Sequence, residues 1–266
     1  MTDSGRFAPA MTNEPFFRKD GDLFVPTRAG VGPWDPNSLH GRVIIGLLGA
    51  EIERQHGGPD YMPARLSVDM YKLPDLSPVE VVTRVVKDGY RLKVIDAEFI
   101  SGGVSAGRAT CQLLRRTENA EGTVWQREPW AAPAPTDVPP PAQRALGGMW
   151  DLRPFLGEFR GKGPRKAWMA EVRELVEGTP WTPFSRVAVA ADFCSPFANG
   201  SEQGLGYINT DVTVYLHREP VTEWIGFETL THGATDGVAV ADCLLHDERG
   251  FIGMASCTAL AQKRKL

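Results

Sequence analysis

The feature that most restricts what this chain can fold into is that much of it is written twice. Pro33-Trp34-Asp35-Pro36-Asn37-Ser38 is echoed 147 residues later by Pro180-Trp181-Thr182-Pro183-Phe184-Ser185. Arg42-Val43 returns as Arg186-Val187 at an offset of 144, so the first copy holds three extra residues, Leu39-His40-Gly41. Ser67-Val68-Asp69-Met70-Tyr71 faces Asp211-Val212-Thr213-Val214-Tyr215 at the same offset, as Gly89 does Gly233. Two residues then enter the second copy, after which Val94, Asp96, Gly107, Ala109 and Cys111 meet Val240, Asp242, Gly253, Ala255 and Cys257 at 146. Matches in this order, broken only by two small insertions, mark a tandem duplication, and internal repetition decides the fold before any local reading.

The repeat divides the chain into an N-terminal module (1–116), a linker (117–164) and a C-terminal module (165–266). Pro129, Pro133, Pro135, Pro139, Pro140 and Pro141 give the linker a density of proline that excludes helix and central strand and predicts a semi-rigid extended segment.

Within each copy a serine, Ser38 or Ser185, stands before an apolar stretch and is the expected N-cap. The stretches are Val43, Ile44, Ile45, Leu47 and Leu48 in one copy and Val187, Ala188, Val189, Ala190 and Ala191 in the other. A helix apolar on every face must be buried on every side. Glycines and alanines along these helices, such as Gly46, Gly49 and Ala190, leave room for a ligand or allow close helix–sheet packing. Runs rich in β-branched and aromatic residues follow at 64–72, 79–87, 92–100 and 106–115, then at 205–217, 222–231, 237–246 and 251–261. Their short connections predict antiparallel pairing, and a further strand is expected before each helix, near Leu23–Thr27 and Ala167–Val172.

Charge and composition remove several classes of function. A hydrophobic content of 42% suffices for a sizeable core. Acids and bases are interspersed, the net charge is −4, and the only cationic run is Lys263-Arg264-Lys265, so neither nucleic acid nor an anionic membrane is an expected partner. The first residues, Met1 to Phe7, lack the apolar run of a signal peptide, and no segment approaches about 18 consecutive apolar residues; a cytoplasmic location is expected. Cys111, Cys194, Cys243 and Cys257 lack paired ligand spacing and are read as reduced, with no structural metal.

A helix inside an antiparallel sheet, present twice in one chain, resembles the double hotdog arrangement, an α+β fold. The local motifs are similar to those of the acyl-CoA thioesterase II family: Gly32-Pro33-Trp34-Asp35-Pro36 leading to His40-Gly41, Ala190-Ala191-Asp192-Phe193, Asp211-Val212-Thr213-Val214-Tyr215-Leu216-His217-Arg218, and Gly250-Phe251-Ile252-Gly253-Met254-Ala255-Ser256. The resemblance implies an acyl-CoA substrate, no cofactor, and association into a homodimer or higher homo-oligomer. Hydrolysis of the thioester to free acid and CoA would place the protein in fatty acid metabolism.

Asp192 is the most informative single residue, because the five positions before it are all apolar and its counterpart in the first copy is Leu48. A carboxylate drawn out of water needs partners or a large pKa shift. The family places an Asp here to position the water that attacks the thioester. Its hydroxyl partner would fall at Asn209 or Thr210, and a Gln on the last strand would fall within Cys257-Thr258-Ala259, where none stands. Trp34, His40, Gly41 and Thr258 are expected to contact substrate, and backbone N–H groups at a helix N-terminus to stabilise an oxyanion. Trp34 and Trp181 are further expected to pack at the seam between the modules.

Two other readings stand beside this one. Asp35-Pro36-Asn37-Ser38-Leu39-His40 resembles the Asp-Xaa-Asn-Xaa-Xaa-His pattern of hotdog enoyl-CoA hydratases, in which Asp and His activate water for addition to a double bond. The missing Gln motivates a protein that binds acyl-CoA without cleaving it. Gly103-Val104-Ser105-Ala106-Gly107 has the form of a nucleophile elbow, but a strand follows it, and it is read as a hairpin. His56, His217, His232 and His246 lack partner spacing and are read as ordinary surface or strand residues.

Overall fold

The computed structural model describes residues 14–141, 150–158 and 161–263; the first residues of the chain and most of the cationic run at its end lie outside them. The N-terminal half comprises β1 (Phe17–Asp20), β2 (Leu23–Pro26), α1 (Gly41–His56), β3 (Tyr61–Met70), β4 (Val79–Asp88), β5 (Leu92–Ser101) and β6 (Val104–Arg115). The C-terminal half comprises β7 (Trp150–Leu156), β8 (Lys166–Glu171), α2 (Pro183–Ala191), α3 (Cys194–Asn199), a two-stranded ribbon of β9 (Gly200–Ser201) and β10 (Gly204–Leu205), β11 (Tyr207–Asn209), β12 (Asp211–Leu216), β13 (Ile225–Thr235), β14 (Val238–Asp247) and β15 (Gly250–Ala261). The expected strands before each helix are β2 and β8.

One antiparallel sheet runs through both halves in the order β1-β2-β4-β5-β6-β3-β12-β15-β14-β13-β8-β7, with β11 paired to β15. The halves join where β3 meets β12. There the register pairs Val68 with Val212, two residues that the repeat also equates, and Ser67 with Thr213 and Asp69 with Asp211 on either side. The axis relating the two copies therefore passes through the Val68–Val212 pair. Joining the sheets here covers two strands that separate modules would leave as open edges.

Both helices lie inside, where α1 is buried along Arg42–Gly49 and α2 along nearly its whole length. They pack on each other so closely that a Cβ on Gly46 would lie 2.3 Å from Val189 Cγ2, and one on Gly49 would lie 2.9 Å from Ala188 Cβ. Gly46 and Gly49 thus serve chiefly the contact of one helix with the other rather than of helix with sheet. Valine is stiff at χ1 and cannot swing away. Gly46→Val is accordingly expected to lower unfolding free energy by about 1–3 kcal/mol in urea titrations, and adding Val189→Ala to recover a measurable part of it.

Three local expectations change. The N-caps are His40 and Thr182, not Ser38 and Ser185. Ser185 sits at the third helical position, where its N–H donates to Thr182 Oγ1 at 3.0 Å and its Oγ accepts from Thr182 N at 2.9 Å, a reciprocal capping box that starts α2 one turn earlier. Ser38 Oγ instead donates to Asp35 O at 3.0 Å within the preceding turn. The expected linker contains β7, which pairs with β8 and tolerates Pro154 because it is the last strand of the sheet. The rest of the proline-rich stretch docks on the C-terminal sheet: Trp130 stacks on the His246 ring at 4.0 Å in space left by Gly226, and Trp168 Nε1 donates to Pro133 O at 2.8 Å. His246, on β14, is buried there beside Glu228.

Other expectations hold. Gly102 and Gly103, both in the left-handed region, form the turn of the β5–β6 hairpin that contains the apparent elbow. All four cysteines are free and buried. Among the described residues no helix is long and apolar enough to cross a membrane.

Candidate active site

A pocket of about 170 Å³ opens where the head of α1 meets the end of α2, and Trp34, Ile44, Met70, Trp150, Pro196 and Ile208 give it mostly apolar walls. Its polar groups come from both halves: His40 and Gly41 from the first, Asp192, Asn209 and Thr210 from the second. Tyr71, Lys72 and Leu73 stand exposed at its rim.

Asp192 is the C-cap of α2, held in helical geometry and only 3% exposed. Asn209 Nδ2 donates to its Oδ1 at 2.9 Å, and His40 Nδ1 lies 3.1 Å from its Oδ2. The carboxylate rests against the first turn of α1, where a Cβ on Gly41 would come within 2.6 Å of Oδ1. Only glycine permits this approach, which sets the negative charge at the positive end of the helix. Burial pushes the Asp192 carboxyl up, but its hydrogen bonds with His40 and Asn209 and the nearby Arg42 outweigh that and hold it below the usual carboxylate range. Burial pushes the His40 imidazole down, against the attraction of Asp192. The pair that results is an ionised carboxylate and a neutral imidazole.

Arg42 lies behind the pair, fully buried, with its guanidinium 4.6 Å from the Phe16 ring and 4.1 Å from the Trp150 ring. Its Nη1 donates to Glu171 Oε2 at 2.8 Å, tying α1 of one half to β8 of the other. The chain signals this residue by the same logic that singles out Asp192, a charge at the edge of an all-apolar helix, although in the sequence Arg42 served only to align the two copies. The repeat partner Arg186 does something different, lying over Trp181 at 5.5 Å.

The residues singled out by sequence divide as follows. Asp192, His40, Gly41 and Asn209 meet in one cluster, with Trp34 on the pocket wall rather than serving only as seam packing. Thr210 lines the pocket, but its hydroxyl pairs with that of Thr258 at 2.9 Å and not with Asp192. Thr258 does not line the pocket: it points to the exposed outer face of β15, where its backbone N donates to Asp211 Oδ1 at 2.7 Å. The inward neighbours Cys257 and Ala259 carry no side-chain amide, and the second polar neighbour of the carboxylate is His40 from the other half. Asp35 does not reach His40; its Oδ1 accepts from Asn37 N at 2.9 Å and shapes the turn before α1.

Residues 118–260 match the model of the acyl-CoA thioesterase C-terminal domain, more than half of the sequence. The chain belongs to the acyl-CoA thioesterase family. It is thereby a member of a family of thioester hydrolases. Among curated proteins no sequence matches this thioesterase. It is similar in structure to the tesB protein of Mycobacterium avium subsp. paratuberculosis (15% identity, 93% of this chain and 96% of that one, TM-score 0.70). A protein with a hotdog fold from Alicyclobacillus acidocaldarius is likewise similar (15%, 93% and 96%, 0.73), as is the acyl-CoA thioesterase II TesB2 of Mycobacterium marinum (14%, 84% and 91%, 0.63). At such identities the likeness shows the fold, and the thioesterase is a double hotdog.

Proposed function

We propose that this chain cleaves acyl-CoA thioesters to free acid and CoA with a water activated at the Asp192 cluster. The observation that carries the reading is a buried carboxylate on a mostly apolar pocket, flanked by Asn209 from its own half and His40 from the other. Fixed charge in a water-poor site acts strongly on a developing transition state, and here no metal or covalent intermediate is required. Asn209 holds one carboxylate oxygen, and Thr210 lines the wall with its hydroxyl turned to Thr258. The N–H of Gly41, at the head of α1 where helical N–H groups lack intrahelical acceptors, is the donor best placed for the oxyanion. Association into a homo-oligomer and a cytoplasmic role in fatty acid metabolism belong to the same reading.

The carboxylate–imidazole pair would also serve addition of water to an enoyl-CoA, although not through Asp35. Both chemistries are tested by incubating the protein with saturated and enoyl-CoA esters while following free thiol and loss of conjugation separately. Release of CoA is expected. Loss of conjugation without thiol would establish hydration instead, and bound ester with neither change would leave a binding protein.

A further inference from the structure

His40 Nδ1 has two neighbours and one valence to give them. It lies 3.1 Å from Asp192 Oδ2 and 3.2 Å from the backbone N of Arg42. With a lone pair there, it would accept from Arg42 N–H but direct that lone pair at a carboxylate oxygen. With a hydrogen there, the ring gives up the bond from Arg42 N–H and turns that hydrogen to the carboxylate, an interaction with a full charge that is the stronger of the two in a buried site. The second arrangement leaves Nε2 with its lone pair on a ring that lines the pocket and is 11% exposed, and among the described residues Nε2 takes no hydrogen bond. Asp192, by contrast, is 4% exposed and faces a protein donor at each oxygen. Protonating it would set a new O–H against one of those N–H groups.

From this geometry we propose that His40 Nε2 is the base that takes the proton from the attacking water, while Asp192 stays ionised behind it and fixes the tautomer. The inference rests on the thioesterase reading above. As the proton passes to Nε2, the water oxygen bonds to the thioester carbon and the carbonyl π pair moves onto its oxygen. When the tetrahedral intermediate collapses, the C–S bond breaks and Nε2 returns the proton to the departing sulfur. Acid and thiol leave, and the imidazole is neutral again. The charged groups around the ring are Asp192 from the end of α2, Arg42 from α1 with Glu171 and Arg173 behind it, and Lys72 at the rim.

Two measurements on the full chain test this. Nitrogen-15 NMR is expected to show His40 neutral, protonated at Nδ1 with an unprotonated Nε2; an Nε2–H tautomer overturns the proposal whatever the activity. His40→Asn keeps an N–H near the Nδ1 position and removes Nε2, so kcat is expected to fall about 10²-fold or more while KM stays within about threefold. If the folded variant keeps kcat within about tenfold, His40 only positions Asp192 and the proposal fails while hydrolysis stands. A wild-type protein that releases no CoA from any ester overturns both. Should His40→Asn not fold, the tautomer decides.

Discussion

Asp192→Asn is expected to lower kcat for CoA release by about 10²–10⁴-fold while the protein remains folded, because the substitution removes charge and keeps size. The new amide would meet two donors, His40 Nδ1 at 3.1 Å and Asn209 Nδ2 at 2.9 Å. Its oxygen can accept from one, and rotation of the Asn209 amide presents an acceptor to the other, so the melting temperature should change little. Asp35→Asn should change kcat by less than about threefold, since an Asn side-chain oxygen can still accept from Asn37 N in the turn. Steady-state kinetics with a thiol reagent, alongside thermal melts, check both. If Asp192→Asn leaves CoA release intact, the assignment of the centre to Asp192 is wrong.

Glu171→Leu is expected to cost about 3–5 kcal/mol of stability, because it removes the carboxylate that pairs with the fully buried Arg42 guanidinium at 2.8 Å. For a protein of this size that corresponds to a fall of about 6–20 °C in melting temperature. Burial raises the Glu171 carboxyl above its ordinary value despite Arg42, so desolvation outweighs the attraction at this carboxylate. Arg42→Met combined with Glu171→Leu should therefore recover most of the loss. A double variant no more stable than Glu171→Leu alone would show that the pair contributes more than an apolar substitute can.

The duplicated core was legible because its signals are local and repeat: apolar helices, β-branched runs and turn glycines recur at nearly fixed offsets. The outer strands carry no such signal. β1 reads Phe-Arg-Lys-Asp, and β7 contains Pro154, compositions that only the rim of a sheet accepts. At the site, Asp192 stood out because an isolated charge on an apolar helix demands an explanation. Its pairing with His40 did not: His40 stood out only as a substrate contact and as the His of a hydratase-like pattern, and it meets Asp192 solely through the packing of α1 on α2. Arg42 and Glu171 were hidden for the same reason, as neither sequence neighbourhood refers to the other.

The axis through Val68 and Val212 relates two halves that are not equal. At the place matching Asp192 stands Leu48, fully buried, and the three-residue segment that brings His40 and Gly41 has no counterpart in the second copy. Two identical modules associating as separate subunits would have to carry both features twice, doubling the buried charge along with the centre. Fusion of the copies into one gene lifts that constraint, since a substitution in one half is no longer imposed on the other. The expected stoichiometry is thus one centre per chain, with the second seam released to evolve for rigidity alone.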